Sequence, residues 1–351
     1  MMKRTETRPV FVGNVQIGHQ DRCILQSMTN IPSKQIEKTI EQVHLLEQGG
    51  CQLVRFAVLD EEDAMAIREI KKQIHIPVVA DIHFNHLLAL KAVDAGADAI
   101  RINPGNIGSS QHTRAVVEKC REHHIPIRIG INSGSLEQRF LKEYGYTAEA
   151  MLASARRHVS ILEELNFQDI VLSFKSSDPL LTIQAYQMAA ETFPYPLHLG
   201  VTEAGGLIDS AVKSSAALGV LLYEGIGDTV RISVSASPVE ELPIGKQLLK
   251  CFHLIQGVPD LVACPTCGRI QYDMLPLVKE MEDYLRDIHA DISVAVMGCP
   301  VNGMQEAARA DIGVAGSSKG GILFKKGKVL REVAQEQLAE ELKKEIQKMI
   351  R

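Results

Sequence analysis

The chain has 351 residues, of which 45% are hydrophobic and 23% charged, and its formal net charge is −5. This length favours two domains, since single cores stop growing at about 250–300 residues, and the composition is typical of a globular protein. The net negative charge argues against a general nucleic-acid binder. We expect neither a signal peptide nor a membrane span, and therefore a cytoplasmic protein.

Seven cysteines are spread along the chain. An odd number over this length is not typical of a secreted disulfide framework. Four of them lie in mixed or apolar surroundings and are predicted to be small buried side chains, namely Cys23, Cys51, Cys120 and Cys251. Cys264, Cys267 and Cys299 remain as candidates for chemistry.

From residue 24 onward, eight short apolar, β-branched runs alternate with amphipathic helical stretches. The runs are ILQSMTN, LVRFAV, PVVADIHF, DAIRINPG, PIRIGINSG, DIVLSFK, PLHLGVTEAG and DTVRISVSAS. Eight β–α alternations over about 225 residues predict an α/β fold of the (β/α)₈ TIM-barrel type. A doubly wound open sheet is the alternative, but no phosphate-loop or dinucleotide fingerprint supports it.

Further elements flank the predicted barrel. The segment PVFVGNVQIG predicts a hairpin that plugs the barrel bottom, and two helices are predicted between the fifth and sixth strands. Gly257 and Pro259 favour a linker at 254–260, which gives a barrel domain at 1–255 and a second domain at 260–351. There we expect a helix around 274–288, a strand in DISVAVMG, a helix after Cys299, strands in IGVAG and GGILFKKGKVLREV, and a final helix. This pattern predicts a small α+β domain.

Polar residues alternate with aliphatic ones along several predicted strands, so the polar face points into the barrel. Catalytic residues of such barrels come from the carboxyl ends of the strands. Five cations could converge there, opposite the carboxylates of Asp81, Glu203 and Asp228; the cations are Arg55, Arg101, Arg128, Lys175 and Arg231. Because unpaired buried cations are costly, the surplus predicts an anionic ligand, and arginine forks suit phosphate.

Each of these residues also has a plainer interpretation. The cations could pair with the carboxylates and simply hold the barrel together. His83 alone is more often a satisfied polar residue than a catalyst, and Glu203 could be the ion-pair partner of a neighbouring arginine.

The three remaining cysteines form Cys264-x-x-Cys267 with a distant Cys299. An iron–sulfur cluster is the first interpretation, since thiolates hold such clusters and a cysteine before proline recurs in their binding runs. A structural zinc site with His289 as fourth ligand is the second. A redox dithiol is the third, although it leaves Cys299 unused. Glu306 lies about two turns into a predicted helix and is either a fourth ligand or a surface glutamate.

With these residues laid out, the chain resembles the 4-hydroxy-3-methylbut-2-enyl diphosphate synthase family of the non-mevalonate isoprenoid pathway, nearly end to end. The most specific stretches are QSMTN, ADIHFN, RINPGNIG, INSGSLEQR, SFKSSD, PLHLGVTEAG, EGIGDTVRIS, CPTCGR and VAVMGCPVNGMQEA. In place of the Asn-Gly-Pro-Gly-Glu of the family, the chain has Asn302-Gly303-Met304-Gln305-Glu306. It also has IPSKQ after QSMTN, where the family tends to continue Thr-Asp-Thr.

The resemblance implies a [4Fe–4S] cluster held by Cys264, Cys267 and Cys299, with Glu306 as a catalytic cap on the fourth iron. It implies that the barrel binds 2-C-methyl-D-erythritol 2,4-cyclodiphosphate and that Glu203 lies beside the reacting carbons. The implied binding residues are Arg55, Asp81, His83, Arg101, Asn103, Arg128, Asn132, Lys175, Arg231 and Ser235. It further implies a homodimer with an active site shared between subunits, and ferredoxin or flavodoxin as electron donor.

Two other functions are compatible with parts of the pattern. A pterin- or corrinoid-type methyl-transfer barrel with a structural zinc domain predicts a colourless protein that does not bind the cyclodiphosphate. An electron carrier with the barrel as scaffold leaves the five converging cations unexplained. We expect the enzyme to be an iron–sulfur oxidoreductase with no nicotinamide or flavin of its own, because no fingerprint for either is present.

Overall fold

The computed structural model describes residues 1–300 and 307–350. The chain divides into two compact units, Met1–Ile255 and Gln256–Arg351. Within the described residues, no helix combines the length and the apolar character needed to cross a membrane.

A short antiparallel hairpin opens the first unit, with β1 (Val10–Val12) paired to β2 (Val15–Ile17). Val12 and Ile17 are buried against side chains at the start of four later strands, namely Ile24, Leu53, Val79 and Ala99. The hairpin therefore closes the amino end of the barrel, as the sequence predicts.

Eight parallel strands form the barrel. They are β3 (Ile24–Met28), β4 (Leu53–Ala57), β5 (Val78–Asp81), β6 (Ala99–Ile102), β7 (Ile127–Asn132), β8 (Ile170–Lys175), β9 (His198–Leu199) and β10 (Thr229–Val230). Strands that follow one another are neighbours, and β10 pairs with β3. A single bridge between Leu172 and Leu197 brings β8 beside the segment that leads into β9. The predicted (β/α)₈ barrel is confirmed.

The last two barrel strands are shorter than predicted, with two residues each. Pairing continues for one more bond, from the Arg231 amide to the Leu199 carbonyl at 3.0 Å. Gly200 follows β9 directly, and glycine weakens a regular ladder. The turn-forming segments TEAGG and SASP begin further along, at Thr202 and Ser235.

Nine helices surround the strands in the first unit, where every residue is described. They are α1 (Ile36–Gln48), α2 (Glu61–Ile70), α3 (His86–Asp94), α4 (Ser110–Glu122), α5 (Gln138–Tyr144), α6 (Ala148–Glu164), α7 (Pro179–Thr192), α8 (Leu207–Tyr223) and α9 (Glu241–Cys251). Side-chain caps stabilise the first turn of several helices. The Asp60 carboxylate accepts from the Asp63 amide at the start of α2, and the Asp178 carboxylate accepts from the Leu180 amide at the start of α7, where Pro179 is the first residue. The two helices predicted between the fifth and sixth strands are α5 and α6.

One predicted core position is wrong. Cys251 is exposed, whereas Cys23, Cys51 and Cys120 are buried. Cys251 is the last residue of α9, beyond Leu248 and Leu249, which bury the helix against the barrel.

The second unit is a five-stranded sheet with two described helices. Its strands are β11 (Asp260–Ala263), β12 (Ser293–Met297), β13 (Ile312–Ser317), β14 (Gly320–Lys325) and β15 (Lys328–Val333), and its helices are α10 (Met274–Leu285) and α11 (Leu338–Ile350). Strands β11 to β13 run parallel, and β13 to β15 antiparallel. Leu277 and Met281 of α10 pack with Leu342 of α11 in one apolar core. The α+β prediction is confirmed.

Two local predictions differ in this unit. Strand β11 was not predicted, because its four residues are half-buried or exposed and show no alternation. The helix predicted over 274–288 ends at Leu285. The helix predicted after Cys299 falls mainly on residues 301–306, which lie outside the described residues.

Candidate active site

A pocket of about 460 Å³ opens at the carboxyl ends of the barrel strands. All five cations singled out by the sequence line it. The lining residues are Arg55, Asp81, His83, Arg101, Arg128, Asn132, Ser173, Lys175, Thr202, Arg231 and Ser233. Active sites of such barrels occupy this end, so the pocket is the candidate site.

Strand register explains why these side chains meet. Asp81 lies opposite Arg101, and Arg101 lies opposite Arg128, so the three form one row. Side chains alternate between the two faces of a strand, and the intervening Ile100 and Ile129 are buried in the core outside the barrel. The row of polar residues therefore points inward.

A glycine makes room for one of the arginines. A Cβ atom on Gly130 would lie 2.4 Å from Nη2 of Arg101. Because real Cβ atoms do not approach other atoms this closely, the guanidinium occupies space that any other residue at position 130 would fill. Gly130 is the next inward-facing position after Arg128 on β7.

The Asp81 carboxylate forms ion pairs with two arginines. Its Oδ1 lies 3.2 Å from Nη1 of Arg101, and its Oδ2 lies 3.6 Å from Nε of Arg55. Burial alone would raise the pKa of Asp81, but the charges of Arg55 and Arg101 outweigh burial and hold the pKa below its ordinary value. Nε2 of His83 lies 3.4 Å from Nη1 of Arg101, at the edge of this cluster.

Arg231 is held by a carboxylate that the sequence did not single out. Its Nη2 donates to Oε1 of Glu241 at 2.7 Å and its Nε to Oε2 at 3.1 Å. The Ser27 hydroxyl donates to the same Oε2 at 2.8 Å. Glu241 is 2% exposed and is the first residue of α9. The available sequence signal was a glutamate directly after the turn that follows the eighth strand.

Within the described residues, two cations have no carboxylate against them. Arg128 donates from Nη1 to the side-chain oxygen of Gln26 at 2.6 Å, and its buried Nη2 has no hydrogen-bond partner. The side-chain amine of Lys175 forms no hydrogen bond or ion pair with the part of the chain that the structure describes. Internal pairing thus accounts for three cations and leaves Arg128 and Lys175 uncompensated.

Asp228 and Glu203, which were expected to face the five cations beside Asp81, do not line the pocket. Asp228 is buried elsewhere, where it accepts from the Thr7 hydroxyl at 2.8 Å and from the Leu197 amide at 2.7 Å. Burial raises its pKa to about 6. Glu203 is exposed in the loop after β9. The carboxylates of Asp81 and Glu241 face the five cations, so the pocket has a positive surplus of about three charges.

Three of the predicted site residues lie outside the pocket lining. Asn103 is half-buried in the loop after β6, where its side-chain oxygen accepts from the Gly105 amide at 3.2 Å. Ser235 is exposed, and its amide donates to the Gly205 carbonyl, which ties the loops after β9 and β10 together. Glu203 adopts a positive φ of 53°, a strained conformation for this residue type that is concentrated at functional sites.

A buried histidine joins two loops at the rim. The Gly105 amide donates to Nδ1 of His158 at 3.2 Å, while Nε2 of His158 lies 3.3 Å from Oε1 of Glu137. The Ser154 hydroxyl donates to the other oxygen of Glu137 at 2.7 Å. Burial would raise the pKa of Glu137, but the adjacent His158 ring and the Ser154 hydroxyl outweigh burial and lower it to about 2. The sequence analysis missed this bridge, since its members lie far apart along the chain.

In the second unit, two of the three cysteines follow the carboxyl ends of neighbouring strands. Cys264 follows β11 directly and Cys299 follows β12 by two residues, and these strands are parallel neighbours. The Gly298 amide donates to Sγ of Cys264 at 3.2 Å. Cys267 is exposed in the turn that follows Cys264. Among the described residues, no three side chains of His, Cys, Asp or Glu are gathered as a ready-made metal site. Glu306 lies outside the described residues.

His289, the predicted fourth zinc ligand, lies at the opposite end of β12. It is exposed and precedes β12, whereas Cys299 follows that strand. A five-residue strand separates its ends by about 16 Å. A closed zinc site needs four ligands at about 2.0–2.3 Å from the metal, so His289 does not complete one with these cysteines.

Comparison with known proteins covers both units. Residues 7–246 match the GcpE TIM-barrel domain, and residues 260–348 match the GcpE protein C-terminal domain. The chain is 53% identical over 350 residues to the 4-hydroxy-3-methylbut-2-en-1-yl diphosphate synthase (flavodoxin) of Geobacillus thermodenitrificans, which covers 99% of this chain and 94% of that protein. It is 54% identical over 344 residues to the protein of the same name from Bacillus cytotoxicus, which covers 98% and 94%.

Among solved structures, a truncated form of 3-deoxy-D-arabino-heptulosonate 7-phosphate synthase from Thermotoga maritima matches with a TM-score of 0.50. It covers 71% of this chain and 91% of that chain, at 17% identity. At this identity the similarity concerns the barrel fold alone.

Proposed function

We propose, because this chain belongs to the GcpE family, that it reduces 2-C-methyl-D-erythritol 2,4-cyclodiphosphate to 4-hydroxy-3-methylbut-2-en-1-yl diphosphate with electrons from flavodoxin. The relatives at 53–54% identity carry this synthase name with flavodoxin in it. The methyl-transfer alternative is not supported, because the similarity to these synthases extends over nearly the whole chain. The chain is therefore an iron–sulfur oxidoreductase of isoprenoid biosynthesis.

The observation that carries the proposal is the charge surplus in the barrel pocket. Arg128 and Lys175 are buried with no carboxylate of the described residues against them, and a ligand with two phosphates would compensate both. An electron carrier with the barrel as scaffold does not need these charges. We assign ligand binding to Arg55, Asp81, His83, Arg101, Asn103, Arg128, Asn132, Lys175, Arg231 and Ser235.

The reaction breaks the ring C–O bond to phosphate and expels a hydroxyl group as water, so it consumes two electrons and one proton. The diphosphate gains negative charge as its oxygen leaves carbon, and fixed cations stabilise charge that develops in this way. Glu203 is our candidate for protonating or polarising the departing hydroxyl. Its strained backbone in the loop after β9 supports a positioned role.

The donor set of the second unit fits an iron–sulfur group better than zinc. Thiolates are the usual ligands of such clusters, and hydrogen bonds to sulfur tune them. The Gly298 amide donates to Sγ of Cys264 and would do so to a bound cluster. We propose that Cys264, Cys267, Cys299 and Glu306 hold a [4Fe–4S] cluster, which supplies the two electrons one at a time when bound. The barrel at 1–255 would then bind the ligand and the domain at 260–351 the cluster.

An exposed apolar face supports self-association. Ile208, Val212 and Tyr223 of α8 are 79%, 62% and 84% exposed and lie within about 60° of one another around the helix. Ile208 and Val212 lie one turn apart, and exposed apolar patches mark interaction sites. We propose that a second copy covers it, that the active site is shared between the subunits, and that the enzyme works in the cytoplasm without nucleic acid or membrane.

The test is anaerobic purification and cluster reconstitution, followed by turnover of the cyclodiphosphate with reduced flavodoxin. We expect a brown protein with acid-labile sulfide and formation of the linear diphosphate. Arg128→Ala should lose most activity, whereas Arg114→Ala, an exposed arginine on α4, should keep it. A fully loaded protein that leaves the cyclodiphosphate unchanged would contradict the proposal.

A further inference from the structure

Lys175 is the last residue of β8 and is 7% exposed. It lies opposite Asn132 of β7 and lines the pocket beside Thr202. An amine buried in this way needs either a counter-charge or a neutral form, because an isolated buried charge is strongly destabilising. No ion pair supplies a counter-charge within the described chain.

The groups around Lys175 are mostly positive. Guanidinium groups face it from β4, β6, β7 and the segment after β10; they belong to Arg55, Arg101, Arg128 and Arg231. The nearby carboxylates are already engaged, Asp81 by two arginines and Glu241 by Arg231. His83 lines the same pocket from β5, and the buried His198 lies on β9.

Arginine and lysine respond differently to such crowding. Arginine stays protonated in proteins, even where burial lowers the pKa of Arg55 to about 10. A lysine amine can give up its proton. Burial, followed by the charges of Arg55 and Arg231, lowers the pKa of Lys175 well below its ordinary value. Lys175 is therefore the group in this cluster that can relieve the repulsion.

We propose that Lys175 is a neutral amine in the unliganded pocket and takes up one proton from solvent when the cyclic diphosphate binds. The phosphates supply the negative charge that the pocket lacks, and the resulting ammonium then donates hydrogen bonds to them. The inference rests on the proposed function and goes beyond it, since it couples ligand affinity to pH. As pH rises between the pKa of Lys175 in the free enzyme and its pKa in the complex, the affinity for the ligand should fall about tenfold per pH unit.

Isothermal titration calorimetry with 2-C-methyl-D-erythritol 2,4-cyclodiphosphate, near pH 8 in buffers of different ionisation enthalpy, counts the protons. Each phosphate of this ligand has one strongly acidic oxygen, so the charge of the ligand stays constant. We expect uptake of about one proton per ligand in the unmodified enzyme. We expect uptake near zero in Lys175→Met and also in Lys175→Arg, which keeps a permanent charge. His83→Asn should keep the uptake, which excludes the imidazole of the same lining as the proton acceptor.

Binding by the unmodified enzyme without proton uptake would overturn the inference and leave the proposed function intact. Uptake that persists in Lys175→Arg would also overturn it, because another group would then be the acceptor. If the ligand does not bind the unmodified enzyme at all, the proposed function falls together with the inference.

Discussion

Arg231 and Glu241 form a two-point ion pair at the carboxyl end of β10, with Nη2–Oε1 at 2.7 Å and Nε–Oε2 at 3.1 Å. Both carboxylate oxygens are occupied, and the remaining Nη1 lies 3.5 Å from Sδ of Met28. Since this pairing engages one side of the guanidinium, it fixes the direction of the other side. Glu241 is thus a positioning residue for Arg231, at the start of a helix that does not itself line the pocket.

Replacing Glu241 by glutamine removes the charge and leaves one acceptor oxygen for three donors, two on Arg231 and the Ser27 hydroxyl. We expect the KM for the cyclodiphosphate to rise about tenfold, equivalent to about 1.4 kcal/mol, with a smaller change in kcat. Glu240→Gln changes the exposed neighbour in the same turn and should behave as the unmodified enzyme. Steady-state kinetics of both variants test this. An unchanged KM in Glu241→Gln would show that Arg231 keeps its direction without the pair.

Gly130→Ala should damage ligand binding more than folding. The added Cβ would lie 2.4 Å from Nη2 of Arg101. Because this atom is at the end of a flexible side chain, the guanidinium can move away while the backbone keeps its fold. We expect a ligand affinity at least tenfold weaker, with a thermal midpoint within a few degrees of the unmodified enzyme. Gly134→Ala is the matched control, since its Cβ would meet nothing within 4 Å. Equal affinities in the two variants would contradict the crowding at Arg101.

Asp228 should make stability depend on pH. Burial raises its pKa from 3.8 to about 6 in the folded protein, so folding favours the protonated form. Its stabilising contribution is complete below about pH 4 and is lost as pH rises through 6, by up to about 3 kcal/mol. Urea unfolding between pH 4 and 7 should show this loss, and Asp228→Asn should lack it. Parallel pH profiles for the two proteins would argue against the shift.

The two most exposed cysteines give a direct test of the cluster ligands. Cys267 and Cys251 are both exposed, but only Cys267 belongs to the proposed ligand set. After anaerobic reconstitution, Cys267→Ser should lose most of the roughly four irons expected per chain, whereas Cys251→Ser should retain them. Iron and sulfide assays with absorption spectra provide the measurement. Full iron content in Cys267→Ser would remove that cysteine from the site.

Much of the barrel could be predicted because its pattern is local. Runs such as LVRFAV and PIRIGINSG are strongly apolar on one face, and their inward polar positions gave Arg55 and Arg128 directly. Strand β11 has neither property, and the two-residue strand β9 is followed directly by Gly200.

The partners of the cations were harder to predict, because they depend on distances between remote segments. Gln26 contacts Arg128 across 102 positions of sequence. Glu241 lies only ten positions from Arg231, yet on a helix where a glutamate is common. The sequence shows the sign of each charged side chain. Which groups pair with one another follows only from the three-dimensional structure.

The imidazole of His158 ties the loop that follows β6 to the loop that follows β7, through Gly105 and Glu137. These two stretches of the rim therefore behave as one piece. We expect a substitution that displaces one of these loops to displace the other as well. Any redesign of the mouth for bulkier molecules should treat 103–105 and 132–137 as a single module.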